Sequence, residues 1–256
     1  MHPSGLYVAT TGDCRTVLGT LRNANEFGAV ALSEDQTGDT PSEVERLHRE
    51  HPHETVIKEG RVLRGLQPTR AFGDSRYKWA KERQEALRLR IPHNLRTPPY
   101  VTARPEVVHH ALQAEDQFVI LASDGLWDVV DNDKAVEIVA IAVGSLRSGS
   151  PSSLPADTKN TPNVVKAASA LVIKALQAYA DDATNGDIAA LLALSSARQH
   201  RDDITATVVL LQQPAKYTKA EPQDAIATPP REDLLSVYRV ATKGVDKDKK
   251  DFSNGA

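Results

Sequence analysis

The sequence predicts a domain of mixed α and β structure, and three observations predict it. Short apolar runs rich in β-branched residues recur at 6–9, 16–18, 118–122 and 204–211, each the length of a strand or part of one. Between the last two runs, Val165, Ala168, Leu171, Val172, Ala175, Leu176 and Tyr179 return at helical spacing. Three of the strand-like runs also carry an acid at one end, which ties the β elements to candidate chemistry.

Taken in order, the runs at 6–9 and 16–18 flank Gly12-Asp13, which reads as a hairpin turn or a bend between strands. Thr40-Pro41-Ser42-Glu43 opens a helix, with Thr40 as N-cap, Pro41 at the first helical position and Glu43 as capping-box partner. Val44 and Leu47 give this helix a narrow apolar face, and His51-Pro52 ends it, because proline disfavours helix in the residue before it. Residues 62–66 read as a short strand, 70–79 as basic turns, 80–89 as a polar helix and 92–99 as loop. Asn132 is placed to cap a helix over 133–143. Residues 145–163, rich in Ser, Pro, Thr and Gly, read as a surface loop or disordered insertion. A strong helix over 164–179 and a shorter one over 188–197 follow. We divide the chain into a domain over 1–213 and a polar, charged, disordered tail over 214–256, with one helical turn near 234–238.

The chain is long enough, at 256 residues, to bury a sizeable core. A net charge of −3 gives no basic excess for nucleic acid, and no apolar stretch reaches the length of a membrane span. Cys14, the single cysteine, excludes an internal disulfide and a cysteine-based zinc site. His48, His51, His53 and the His109-His110 pair lack a partner pattern such as H-E-x-x-H and read as surface residues.

The chemistry concentrates at Ser123-Asp124-Gly125, where the apolar run FVILA stops abruptly. An acid is fixed at the end of a buried strand, with a glycine beside it that permits a tight turn. Asp128, Asp131 and Asp133 follow. One such Asp-Gly is ordinarily just a turn. Here Asp202 and Asp203 directly precede another strand, and Asp13 ends a third. If those strands are neighbours, their carboxylates converge on a hard divalent cation such as Mg²⁺ or Mn²⁺.

Four segments, LYVATTGDCRTVL, LRGLQPTRAFGDSRYKW, SDGLWDVV and RDDITATVVLL, resemble in order the motifs of the metal-dependent Ser/Thr protein phosphatases of type 2C. RAFGDSRYKW, PPYVTARPEV and RDDIT are similar to the mitochondrial pyruvate dehydrogenase phosphatases. The resemblance implies an α+β fold, a four-layer α-β-β-α sandwich of two antiparallel sheets with metals at one end. It implies two or more Mg²⁺ or Mn²⁺ ions, Asp124 and Asp202 as ligands of a core metal, and Asp13 at a third, weaker one. It gives Asp74 and Gly125 structural roles, and Asp203 the orientation of a ligand or water. A phosphoprotein is the implied substrate and the mitochondrion the implied location, with the cytoplasm as alternative. The family's upstream D-G-H-G-G segment is absent, and GDCR replaces GDSR at Cys14. The chain therefore matches the C-terminal portion of such a domain, and we expect little turnover from it alone. The alternatives are a catalytically silent phosphatase-like protein that binds a partner, and an unrelated acidic cation-binding module.

Overall fold

The computed structural model describes residues 5–23, 26–144 and 163–211. The predicted insertion, apart from Asn163, and the predicted tail lie outside the described residues. In chain order the elements are β1 (Gly5–Thr10), β2 (Arg15–Asn23), β3 (Glu26–Ala31), α1 (Pro41–Glu50), β4 (Ile57–Lys58), β5 (Arg61–Val62), α2 (Lys81–Ala86), β6 (Glu106–Ala111), β7 (Asp116–Ala122), α3 (Asp124–Trp127), α4 (Asn132–Ala142), α5 (Asn163–Ala183), α6 (Ile188–Ala193) and β8 (Ala206–Leu210).

The fold is an α+β sandwich built on antiparallel sheets. A four-stranded sheet runs β3-β2-β7-β8, and β1 pairs with β6 in a second sheet. Alternation along the strands sets the two faces of the larger sheet. Val17, Phe118, Ile120, Ala122 and Val208 point to one face and pack with Leu126, Trp127, Val136, Val139 and Leu171 of the helices. Leu18 and Val119 point to the other and meet Val8 of β1. Among the described residues this makes three layers: helices, four-stranded sheet, second sheet. A separate small core gathers Leu47, Val56, Val62, Tyr77 and Tyr100.

Several local expectations change. Thr40 is the N-cap of α1 but makes no side-chain cap hydrogen bond; its hydroxyl donates instead to the Asp35 carbonyl at 2.5 Å. Glu43 is no capping-box partner, because Arg70, Arg46 and Thr69 draw its carboxylate into the protein. Asp131, not Asn132, caps α4, accepting from the Lys134 amide at 2.7 Å. The strand predicted over 62–66 is instead a turn closed by Val62 N–H on the Leu66 carbonyl, and only Arg61–Val62 pairs, with β4. On α5 the deepest side chains are Ala167, Leu171, Ala175 and Ala180; the first three pack in the main core with α4 and the sheet, where close approach favours small side chains. His51 is buried at 7% exposure, its Nδ1 2.8 Å from the Thr97 hydroxyl, which corrects its surface placement. β3 and β6 have no counterpart in the sequence reading, since they lack a long apolar run.

Candidate metal centre

Register brings the three acids to one end of the larger sheet. β2 pairs with β7 so that Arg15 faces Ala122, and β7 pairs with β8 so that Ala122 faces Ala206. Asp13 lies two residues before Arg15, Asp124 two after Ala122, and Asp202 four before Ala206. Their proximity shows in their ionisation. The Asp13 carboxyl is pushed up to about 6, first by burial and then by the charge of Asp124, with smaller contributions from Asp35 and Asp128. Asp124 is raised by burial and then by Asp202. Asp128 is raised by burial and then by Asp124 and Asp202. These carboxyls repel one another because their charges are poorly compensated.

Backbone contacts hold the two central acids beside each other. The Ser123 hydroxyl donates to the Asp203 carbonyl and accepts from the Thr205 amide, both at 3.0 Å, while Ser123 N–H donates to the Thr205 carbonyl at 3.1 Å. Gly125 completes the joint. A β-carbon there would stand 2.5 Å from the Asp203 carbonyl oxygen, so only glycine lets the 202–203 backbone lie against α3. Gly12, at φ +107°, turns the chain between β1 and β2 in a conformation that side chains resist. That turn is a passage between two sheets and not a hairpin, since β1 pairs with β6 and β2 with β3 and β7.

Arg15 stands beside the acids but is fully engaged. Its guanidinium grips Asp35 at 2.6 and 2.9 Å, donates to Asn132 at 2.9 Å and lies 5.3 Å from the Trp127 ring centroid. Arg198 reaches Asp202 at 3.2 Å and Asp203 at 3.4 Å. The sequence reading missed both arginines and Asp35, whose approach to the acids follows from no local pattern. Tyr179, read there as a core residue, also faces the cluster: its hydroxyl is raised by burial and then by the charges of Asp128, Asp202 and Asp124. Asp131 and Asp133 turn away, the first to cap α4 and the second toward the Ala29 amide at 3.4 Å. Asp74 sits in left-handed backbone, φ 55°, before a short 3₁₀ turn, and its side chain makes no cap hydrogen bond. Asp203 is exposed, its side chain paired with Arg198.

Among the described residues no three His, Cys, Asp or Glu side chains stand close enough together to hold a metal ion. The donors nonetheless suit Mg²⁺ or Mn²⁺: they are hard carboxylate oxygens, mutually repelling and held on rigid strand ends. Burial and the neighbouring acids push the Cys14 thiol up, so it is not a thiolate nucleophile at neutral pH. A cleft of about 540 Å³ lies alongside, lined by Thr10, Arg15, Leu32, Asp35 and Asn132; Asp13, Asp124 and Asp202 do not line it. Charge and register converge at the carboxylates and not in the cleft.

Comparison with known proteins bears on the family and not on these residues. The family model described as protein phosphatase 2C matches residues 1–182. A protein phosphatase 2C homolog of Schizosaccharomyces pombe is 38% identical over 226 residues, covering 81% of this chain and 50% of that protein. The human mitochondrial pyruvate dehydrogenase (acetyl-transferring) phosphatase 2 is 35% identical over 238 residues, covering 80% of this chain and 45% of that protein. Among solved structures, a serine-threonine phosphatase 2C from Toxoplasma gondii is 22% identical with a TM-score of 0.46, covering 82% of this chain and 55% of that one. The chain spans about half the length of the curated relatives named here.

Proposed function

From the premise that this chain belongs to the protein phosphatase 2C family, we propose that it serves the divalent-metal-dependent hydrolysis of phosphoserine and phosphothreonine in proteins. The observation that carries the reading is the register that brings Asp13, Asp124 and Asp202 to one sheet end. On this reading Asp124 and Asp202 hold a core metal and Asp13 a further one. Gly125 and Ser123 fix the joint between them, and Asp203 supports Asp202 through its backbone N–H, 2.6 Å from Asp202 Oδ1. A divalent pair held there would supply a hydroxide nucleophile by lowering the pKa of its bound water. The chain's own task is to present oxygen ligands in fixed positions and to leave one side open to a phosphoprotein.

The substrate we favour is phosphorylated pyruvate dehydrogenase, with a mitochondrial location. The 35% identity to the human phosphatase of that name, over an alignment covering 80% of this chain, supports this. The test is release of inorganic phosphate at millimolar Mn²⁺ from two peptides, one carrying a pyruvate dehydrogenase phosphoserine and one unrelated. The expected result is slow release, in keeping with the missing upstream segment, that depends on the metal, is faster from the first peptide and is abolished by Asp124→Asn. Release that survives Asp124→Asn, or that ignores Mn²⁺, overturns the metal reading. Equal rates on the two peptides overturn the substrate.

A further inference from the structure

We propose that Arg198 is an internal counter-ion that competes with the divalent cation for Asp202, so that metal loading and release of Arg198 are one event. The inference rests on the metal reading given above.

Arg198 lies on a short 3₁₀ turn, Ala197–Gln199, just before the acids. Its Nη2 stands 3.2 Å from Asp202 Oδ1 and 3.4 Å from Asp203 Oδ2. Among the described residues these are the only ion pairs that Asp202 and Asp203 make. The other arginine at the cluster cannot take this part, because Arg15 is bound to Asp35 and Asn132.

Asp202 Oδ1 already accepts from both Arg198 and the Asp203 amide. While it stays there the guanidinium takes up the approach to Oδ1 that the Asp203 amide leaves open, and its positive charge repels an incoming cation. Arg198 is free to leave: its side chain is 77% exposed, so it can swing into water without breaking the core. A pair this exposed is weak, so the competition is modest and screened by salt. It raises the cation concentration needed to load the site without closing it.

Mn²⁺ binding to the purified chain, followed by the electron paramagnetic resonance of the free ion, tests the inference without any need for turnover. At low ionic strength Arg198→Gln is expected to bind Mn²⁺ roughly two- to fivefold more tightly than wild type. Arg198→Lys, which keeps the charge, should fall between them, and the differences should shrink at high salt. In an Asp202→Asn background, Arg198→Gln should add nothing further. If wild type and Arg198→Gln bind Mn²⁺ equally, or the variant binds more weakly, the inference fails and the metal reading stands. An undiminished gain in the Asp202→Asn background also overturns it, because the competition is then not at Asp202. Absence of binding by both proteins overturns the metal reading and this inference together.

Discussion

One absent carbon decides how closely the acids approach. At Gly125 a methyl group would collide with the Asp203 carbonyl, a backbone atom that cannot rotate aside. Gly125→Ala therefore forces the 202–203 segment off α3, and we expect a loss of about 1–3 kcal/mol in stability. Because Asp202 moves with that segment, Mn²⁺ affinity should fall roughly tenfold or more. Thermal unfolding and Mn²⁺ titration of the same variant check both. Asp124 and Asp74, each beside a glycine, are not equivalent. Asp124 feels the charges at the sheet end, whereas Asp74 sits on a 3₁₀ turn without a side-chain cap bond. Calorimetry should find that Asp124→Asn weakens Mn²⁺ binding more than Asp74→Asn does; equal losses would remove the distinction.

Helix α1 is fastened by charge. The Glu43 side chain is 3% exposed, with Arg70 at 2.5 Å and Arg46 at 2.7 Å. Burial alone would raise its carboxyl, but hydrogen bonds from Arg70, Arg46 and Thr69 hold it down at about 2. A depressed folded-state pKa stabilises above the unfolded value of 4.5 and ceases to do so as pH falls toward 2. The contribution is on the order of 3 kcal/mol. Urea unfolding should show wild type losing stability between about pH 4.5 and 2, with Glu43→Gln less stable at neutral pH and flatter across that window. Helix α5 is fastened by packing instead. Leu171 is fully buried against the sheet and α4, so Leu171→Ala should cost about 2–5 kcal/mol by denaturant unfolding.

The whole molecule distributes these roles between its parts. The helices and the larger sheet share the main core, which holds β2, β7 and β8 in register at the end where the acids gather. The smaller core around Leu47 and Tyr100 supports α1 and the Glu43 network. Residues 214–256 are polar and charged, with a KDKKD run, and offer little apolar surface to bury. We expect a chain ending at Gln213 to keep the melting temperature of the longer one; a drop of several degrees would show that the remainder contributes to the core.

The sequence by itself determined the local features. Asp124, Asp202 and Asp13 at strand ends, the helix of α5 and the end of α1 at His51 all follow from patterns within a few residues, and so does the resemblance carried by the motifs. Tertiary structure decided what meets what. Strand pairing joins residues about a hundred positions apart, as Arg15 and Ala122 are, and no local periodicity encodes a partner. For the same reason Asp35, Arg15 and Arg198 were invisible as neighbours of the acids, and β1 could not be told from a hairpin partner of β2. Glu43 shows the limit most clearly. An acid three residues after a threonine looks the same in sequence whether it caps a helix or accepts two arginines in the interior, and only the packed chain supplies those arginines.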